Sequence, residues 1–540
     1  MRHSLRFVLS AALAISAAGC GDYLSGPGVD QDPNNITKLT RPGPLYIGIQ
    51  ALQSVQFEGQ LARNAAEYVQ QVAGISRQQI GYDLYGMDPS TIDPHFYSVY
   101  GSAIVIQGGG GLLDIKKMQQ LARAVNDSIY LGIGKVYEAL VIGMAASIWG
   151  DIPYRQAADS TNLTPAFDPQ LQVYSDVLAQ LDSAIFFLAA TPAPPNAGPP
   201  SDNSELIYLD RAGDVAALAA VYTQVAHSLK ARYHMHLAEV DPSHYALALA
   251  EVPLGINTPA NDMLWFHDQS PSGQNVWWQF MNTRTDIGPG AAIVEIMKRR
   301  IAQGVDNDER LNFYFQQAVF DPDPATAGDE VPVGFFGYRP GAVRNLAAAP
   351  GVYNGNGSPA GAGGASDPGN NYSLFNFIDQ NTDPGDVRMP VITYAETQLI
   401  GAEAAFQSGG GQGAAQPFLD AARAQRSYGA RGTAPITFTP LGSVPATLEN
   451  IMEEKYVTLF LNIEAWNDYK RTCLPSLAPA PTSLASTTPG TNPVPGRLPY
   501  GITEINANPN TPNVSPVGRN ANDPNPCPVL NYSSSVPLGN

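Results

Sequence analysis

Tyr82, Tyr85, Trp265, Trp277 and Trp278 stand on stretches rich in Gly, Pro, Asn and Asp, where the chain turns and side chains are harder to bury than on a helix. A ring placed there can present a flat apolar face, on which the C–H faces of sugars and planar side chains pack well. The competing role is to staple a loop to the core, because aromatic side chains are mostly buried on average. Gln78, Asn282 and Arg284 lie on the same stretches and supply amide and guanidinium groups for hydroxyls or carboxylates. These eight residues are the candidate ligand-binding set.

Catalytic chemistry is less legible. The 48 acidic residues leave room for the carboxylate pair of a glycoside hydrolase, so a surface-anchored glycosidase is the alternative reading. No HExxH, GxSxG or SxxK sequence occurs, and neither CxxC nor a Cys/His cluster suggests zinc. His234 and His236 are two apart on a helical stretch and point to different faces. Asp306 and Asp308 invite a calcium loop, but the remaining ligand spacing is absent, and a solvated turn is expected. Gly108 to Gly111 is followed by no Gly-Lys-Ser/Thr and reads as a hinge or a close helix contact rather than a phosphate loop. No metal and no cofactor is expected.

At 540 residues the chain can bury a large core, yet 51 Gly and 46 Pro accompany only 14% charged residues, so much of it must be loop. Acidic residues outnumber basic ones 48 to 30, a net charge of −18. Phosphate binding needs a positive surface, so nucleic acid is not a partner. Neutral or cationic ligands and uncharged glycans suit this balance.

The strongest helical pattern is residues 126 to 154. There Ile129, Ile133, Val136, Tyr137, Leu140, Val141, Met144 and Ile148 recur at three- and four-residue spacing, which predicts a long helix with one apolar face. Asn126 or Ser128 can cap its start, and Gly150 and Pro153 stop it, leaving Trp149, Asp151 and Tyr154 on the exit loop. Further helices are expected over 45–74 with a break at Gly59, from Leu112 to Ala124, and after a Phe167-Asp168-Pro169-Gln170 cap. Others should run from Asp214 to Val240, from Pro390 to Gln407, and over one long stretch from Leu448 to Tyr469.

Arg2 and Arg6 precede a twelve-residue apolar run, Phe7 to Ala18, too short to span a bilayer and suited to a secretory signal. Ala17-Ala18-Gly19-Cys20 follows and resembles a lipobox, in which Cys20 is lipidated and tethers a soluble body to a membrane. Of the three cysteines, Cys473 and Cys527 then remain, and an extracytoplasmic location permits them to pair.

An alanine-rich helix running into Trp149-Gly150-Asp151-Ile152-Pro153-Tyr154 resembles the same junction in the SusD/RagB family of outer-membrane nutrient-binding lipoproteins. Asp32-Pro33-Asn34 matches the family's early Asp-Pro-Asn element. Gln170, Tyr174, Leu181, Asp182 and Ala184-Ile185 are in register with one family helix. Gly213-Asp214, Ser228, Leu229, Lys230, Arg232 and Met235 match another, with His227 where asparagine is usual. Asn307-Asp308-Glu309-Arg310 resembles an Asn-Asp-Pro-Arg element, with Glu309 in place of proline, and Phe336-Gly337-Tyr338 resembles the turn after it. Tyr394 to Ala404 resembles the family's Ala-Glu-x-x-Leu-Ile-x-Ala-Glu-Ala helix, whose Glu396 and Glu403 should take structural hydrogen bonds. Glu464, Asp468 and Arg471 match a later helix end, from which Ala465 and Asn467 depart. Arg497 to Tyr500 and Glu504 to Pro509 resemble the closing segment.

The resemblance implies a mainly α fold, a tetratricopeptide-like scaffold of helical hairpins with a large irregular loop-rich insertion and few short strands. The 34-residue repeat itself is not legible in the chain. The implied order is a signal peptide over 1–19, a lipidated tether over 20–44 and one domain over 45–540. That domain is helical over 45–250 and 390–471, carries a ligand-binding insertion over 251–389, and closes with a proline-rich segment over 472–540. The implied function is a non-enzymatic cell-surface lipoprotein of the outer membrane. It would bind an oligosaccharide or peptide and pass it to a SusC-like TonB-dependent transporter.

Overall fold

A computed structural model describes residues 39–101, 109–159, 161–190, 197–284, 286–302, 307–320, 331–341, 372–477, 479–480 and 492–513. The signal stretch, Cys20, Asp306, Cys527 and the loop over 343–371 lie outside the described residues. The chain divides into two units, Met1–Pro42 and Gly43–Asn540, and every helix and strand described belongs to the second.

Helices α1 (Gly43–Glu58) and α2 (Gln60–Tyr68) are split at Gly59, where a Cβ would meet the Val55 carbonyl oxygen at 2.3 Å. Strand β1 (Val72–Gly74), the short α3 (Gln79–Asp83) and α4 (Pro89–Tyr100) follow. Helices α5 (Leu112–Ala124), α6 (Ser128–Trp149), α7 (Gln170–Ala189), α8 (Val215–Leu237) and α9 (Ser243–Glu251) then pack each against the next. This succession of helix pairs is the scaffold that the family resemblance implies.

The centre of the molecule is α6, and it differs from the sequence expectation in a telling way. Every residue of it except Ser128 and Lys135 is buried, so the helix is enclosed all round and does not merely turn one face inward. It is long and apolar enough to cross a bilayer, but it lies inside the protein. Small residues on its far side make this possible: Tyr233 of α8 sits where a Cβ on Gly143 would be, at 2.2 Å. Its cap is neither Asn126 nor Ser128 but Asp127, whose carboxylate accepts from the amides of Ile129 and Tyr130 at 3.1 and 3.0 Å. Trp149 is its last helical residue, fully buried, with Nε1 donating to the Pro499 carbonyl at 3.0 Å.

Asp168 does not cap α7 as expected. Its Oδ2 accepts from the Tyr154 and Arg155 amides at 3.0 and 2.8 Å, and Asp151 takes the Gln170 amide at 2.8 Å instead. Exchange of partners between the two loop carboxylates locks the turn between α6 and α7.

The stretch over 251–389 is more ordered than its composition suggests. It contains β2 (Met263–Leu264), α10 (Val276–Thr283), β3 (Ile287–Pro289), α11 (Ala291–Ala302) and α12 (Arg310–Tyr314). Strands β4 (Ala318–Phe320), β5 (Val331–Gly334) and β6 (Val387–Arg388) come next, then β7 (Pro390–Ile392). It is tied back to the helices by antiparallel pairing of β1 with β3 and of β2 with β7. An aromatic cluster of Phe313, Tyr314, Phe377, Tyr428 and Phe460 forms a second core beneath it.

The chain closes with α13 (Tyr394–Ala405), α14 (Gly411–Ala424), β8 (Ser427–Arg431), β9 (Ala434–Thr437), α15 (Leu448–Thr458), α16 (Glu464–Thr472) and α17 (Ile502–Ala507). The single helix expected from Leu448 to Tyr469 is thus two, broken where Leu461 takes a left-handed φ of 62°. Gln71 fills the break: its amide nitrogen donates to the carbonyls of Tyr456 and Leu459, and its oxygen accepts from the Leu461 amide at 2.8 Å. Cys473 is disulfide-bonded, and its partner lies outside the described residues.

The polar residues that carried the family resemblance are mostly buried here as ion pairs. Arg232 grips both oxygens of Glu396 at 2.7 Å. Glu403 takes Lys455 at 2.8 Å and both guanidinium arms of Arg471. Glu454 receives Arg300, Arg310 and Arg423 at 2.6, 2.6 and 2.9 Å. Asp308 is held by Arg310 and Arg426, which removes it from any calcium role. His227, in the asparagine position, bonds Glu251 at 2.6 Å. Asn467, where the family has arginine, donates to Ser147 and Glu464.

Candidate ligand-binding site

The expected stacking platform is not there, and burial is the reason. Trp265 and Trp277 are 1% and 0% exposed, and Trp278 and Tyr82 are each 8% exposed. Trp265 packs on Phe57 and Tyr137 at centroid distances of 5.6 and 6.5 Å. Trp277 and Trp278 belong to α10, not to a loop, and Trp278 Nε1 donates to the Asp383 carbonyl at 2.7 Å. Tyr85 is half-buried, edge-on to Tyr68 at 5.6 Å, and its hydroxyl is engaged by Gln70 and by the Tyr68 carbonyl. Large rings next to a helix gain more from the core than from water, so these five are staples.

The polar members of the set fare differently. Gln78 and Arg284 are exposed and Asn282 is half-buried, and the β1–β3 pairing brings their segments together. Val72 faces Pro289 and Gly74 faces Ile287, and beyond the strand the amides of Ile75 and Ser76 donate to the Asp286 carbonyl at 2.8 and 3.3 Å. The fully buried Asp286 carboxylate then accepts from Ser76 Oγ at 2.6 Å and pairs with Arg77 at 3.3 Å. One buried aspartate therefore fixes Arg77 and Gln78 beside the strand that leads back to Arg284.

Helix α2 lines the same face. Arg63 lies over the half-buried Phe280 ring at 4.2 Å, and Arg284 lies over it at 5.6 Å. Arg63 also donates to Gln60 at 3.3 Å, and Gln60 donates to Asn64 at 2.6 Å. Arg63 and Phe280 were missing from the sequence set. Phe280 comes three residues after Trp277 and two after Trp278, so on a helix it sits beside Trp277 and away from Trp278, at the half-buried edge of α10, a signal that only the helix assignment makes readable.

Below this face lie groups with nothing to bond. Both carboxylate oxygens of Glu67, both amide atoms of Gln79, Oδ1 of Asp83 and Nε of Arg63 are buried without a hydrogen-bond partner. Glu67, Gln79 and Asp83 are at most 1% exposed. Burial, with Asp83 adding to it, pushes the Glu67 carboxyl well above the usual range. Asp83 is raised to about 8 by burial, against the pull of the Gly341 and Gly74 amides. Burial also lowers Arg63 to about 10, against the pull of the Glu67 carboxyl and with Arg284 as a like-charged neighbour. His95 is brought down to about 4 by burial and by Arg63. Unpaired buried polar groups are rare in folded proteins and cluster where function requires them.

The backbone carries the same mark. Of the eight described non-glycine residues with left-handed φ, three, Gln70, Arg77 and Tyr85, fall in this one stretch, and such strain collects at sites that bind. Two depressions in the helical scaffold, of about 270 and 320 Å³, share no lining residue with this face. Glu138, which lines the larger, is satisfied by Gln119 and Tyr154.

A family model described as SusD-like, starch-binding associating with outer membrane, matches residues 33–501. This chain belongs to the SusD-like family. Among solved structures, the SusD-like chain is similar to a chitin-binding protein at 18% identity, covering 90% of this chain and all of that one, with a TM-score of 0.65. A SusD/RagB family protein from Bacteroides thetaiotaomicron matches at 19% identity over 86% of this chain and 94% of that one, TM-score 0.57. A chitin-binding SusD homolog from Flavobacterium johnsoniae matches at 16% identity over 86% and 92%, TM-score 0.57. No curated protein matches the chain.

SusD-like proteins are binding proteins, not enzymes, and the family is associated with glycans and with the outer membrane. The hydrolase alternative falls accordingly. The carboxylates here with raised affinity for protons and unpartnered oxygens, Glu67 and Asp83, are sealed from any glycosidic bond.

Proposed function

We propose that this SusD-like protein captures a glycan at the cell surface and delivers it to a SusC-like TonB-dependent transporter, anchored to the outer membrane by a lipid on Cys20. The glycan meets the face formed by Arg77, Gln78, Asn282, Arg284 and Phe280, with Arg63 at its inner edge. The observation that supports this reading is the convergence there of the exposed Gln78 and Arg284 with the half-buried Asn282 and Phe280, on segments that β1 and β3 bring together. A sugar offers many hydroxyls, and side-chain amides and guanidiniums held at the surface are groups that can bond them. The tryptophans take no part, because they have no surface to offer.

Two measurements test it. Isothermal titration against a panel of oligosaccharides should give binding that Gln78→Ala weakens, while the glycan emerges uncut. Purification of the full chain from its native outer membrane in mild detergent should bring a TonB-dependent transporter in stoichiometric amount. Recovery of the folded protein alone, in good yield, would remove the delivery role. Preference for peptides over every oligosaccharide tested would remove the glycan.

A further inference from the structure

Arg63 and Arg284 are held against one ring, and neither forms an ion pair with a carboxylate among the described residues. Their guanidinium carbons lie 4.2 and 5.6 Å from the Phe280 centroid. Arg63 has one side-chain hydrogen bond, to the Gln60 amide oxygen, and its Nε is buried without a partner. Glu67, one helical turn further along α2, is the nearest opposing charge, but neither of its oxygens bonds Arg63, and burial together with Asp83 favours its protonated form. The rest of the molecule shows how unusual this is. Arg232, Arg310, Arg426, Arg431 and Arg471 each grip at least one carboxylate, in a chain that carries 48 acidic residues against 30 basic.

Arg284 disfavours the charge on Arg63, and such like-charge repulsion is relieved when an anion binds at the pair. A guanidinium is suited to that work, because its planar fork matches a carboxylate or sulfate with two parallel hydrogen bonds. Phe280 acts as the post that holds both forks in place, since cation–π contact fixes a guanidinium without using its N–H donors.

We infer that Arg63 and Arg284 form a subsite for the negative group of an acidic sugar, either a uronate carboxylate or a sulfate ester. This rests on the proposed glycan-binding face and narrows its ligand class. It runs against the global charge, which favours neutral or cationic ligands. Local geometry overrides the global balance, because salt confines the field of distant surface charges to about 8–10 Å. Arg77 is excluded from the subsite, as Asp286 already neutralises it.

The test compares an oligogalacturonate with its methyl ester, which is the same sugar without the charge, and adds a sulfated oligosaccharide and a neutral chito-oligosaccharide. With the full chain, the acid should bind at least tenfold more tightly than the ester, and 0.5 M salt should abolish most of that preference. Arg284→Gln, at an exposed position where folding is easily checked by circular dichroism, should bring the acid-to-ester ratio close to one. Phe280→Leu, which removes the post and keeps both charges, should lower the same ratio. The sulfated probe against the uronate tells which anion the fork prefers. Equal binding of acid and ester with an unchanged ratio in Arg284→Gln overturns the inference and leaves the glycan-binding reading standing. Failure of every sugar, charged or neutral, overturns both. A preference for glutamate-rich peptides over all the acidic sugars overturns the sugar assignment.

Discussion

Two buried clusters of charge in this protein are built in opposite ways. Around α15 each carboxylate is answered: Glu454 by three arginines, Glu403 by a lysine and an arginine, Asp308 by two arginines. Around α2 and α3 the carboxylates of Glu67 and Asp83, with the Gln79 amide between them in sequence, are left with unbonded atoms, and the nearest arginine turns its fork to a ring. A paired interior fixes where α8, α11, α13, α14, α15 and α16 meet. An unpaired one costs stability and persists only where something else is gained. The family-like residues sit mainly in the first cluster, and the residues proposed to meet the ligand lie beside the second, so on this proposal the parts of the chain that identify the scaffold are not those that choose the ligand.

The largest effect should come from breaking the paired cluster. Glu454→Gln strands three guanidiniums in the interior, and chemical denaturation should register a loss of about 3–5 kcal/mol. A loss below about 1 kcal/mol would mean the network is not what holds these helices. Trp278→Ala should cost about 3 kcal/mol by opening a cavity under the Asp383 loop. Glycan affinity, measured where the variant is still folded, should change less than it does for Gln78→Ala; the reverse ranking would restore Trp278 as a ligand contact.

Acid and base should act on the two clusters with opposite sign. Glu403 and Glu464 are held at about 2 by neighbouring cations, against a usual value of 4.5. Their contribution is therefore complete above about 4.5 and is lost as pH falls toward about 2. Asp83 is raised from 3.8 to about 8, so the folded state holds its proton where the unfolded chain has released it. Its effect is most favourable below 3.8, and stability drains away as pH climbs toward about 8. Thermal melts across pH 3–9 should show both slopes, and Asp83→Asn should reduce the alkaline one, to which Asp262, also raised to about 8 by burial, contributes, while leaving the acid one intact. An alkaline slope unchanged in Asp83→Asn would locate the proton elsewhere.

The smallest stability effect belongs to the exposed rim. Gln78→Ala should shift unfolding free energy by no more than about 0.5 kcal/mol yet weaken glycan binding several-fold. That dissociation of stability from affinity is the reverse of the outcome for Glu454→Gln.

Periodicity and end signals made the helical scaffold readable. The apolar spacing of Ile129 to Ile148 located α6, Gly59 located the break between α1 and α2, and Asp214 capped α8 as its position suggested, accepting from Ala216 and Ala217 at 3.0 Å. The errors arose where a partner is distant in sequence. Leu448 to Tyr469 has unbroken helical periodicity, and only Gln71, arriving from far along the chain, stabilises the kink at Leu461. Local composition places the tryptophans on loops, and composition says nothing about what will cover them.

The sequence by itself determined the helices, the family and the identity of the residues that could bond a ligand, because these depend on spacing along one chain. Only the tertiary structure decided which of those residues face water and which charges go unanswered. The segments that carry Gln78 and Arg284 are brought together by β1 and β3, and Arg63 and Arg284 share the Phe280 ring, because backbone pairing and ring packing join segments more than two hundred residues apart. Burial and pairing are properties of that assembled neighbourhood, so no reading of a single stretch can assign them.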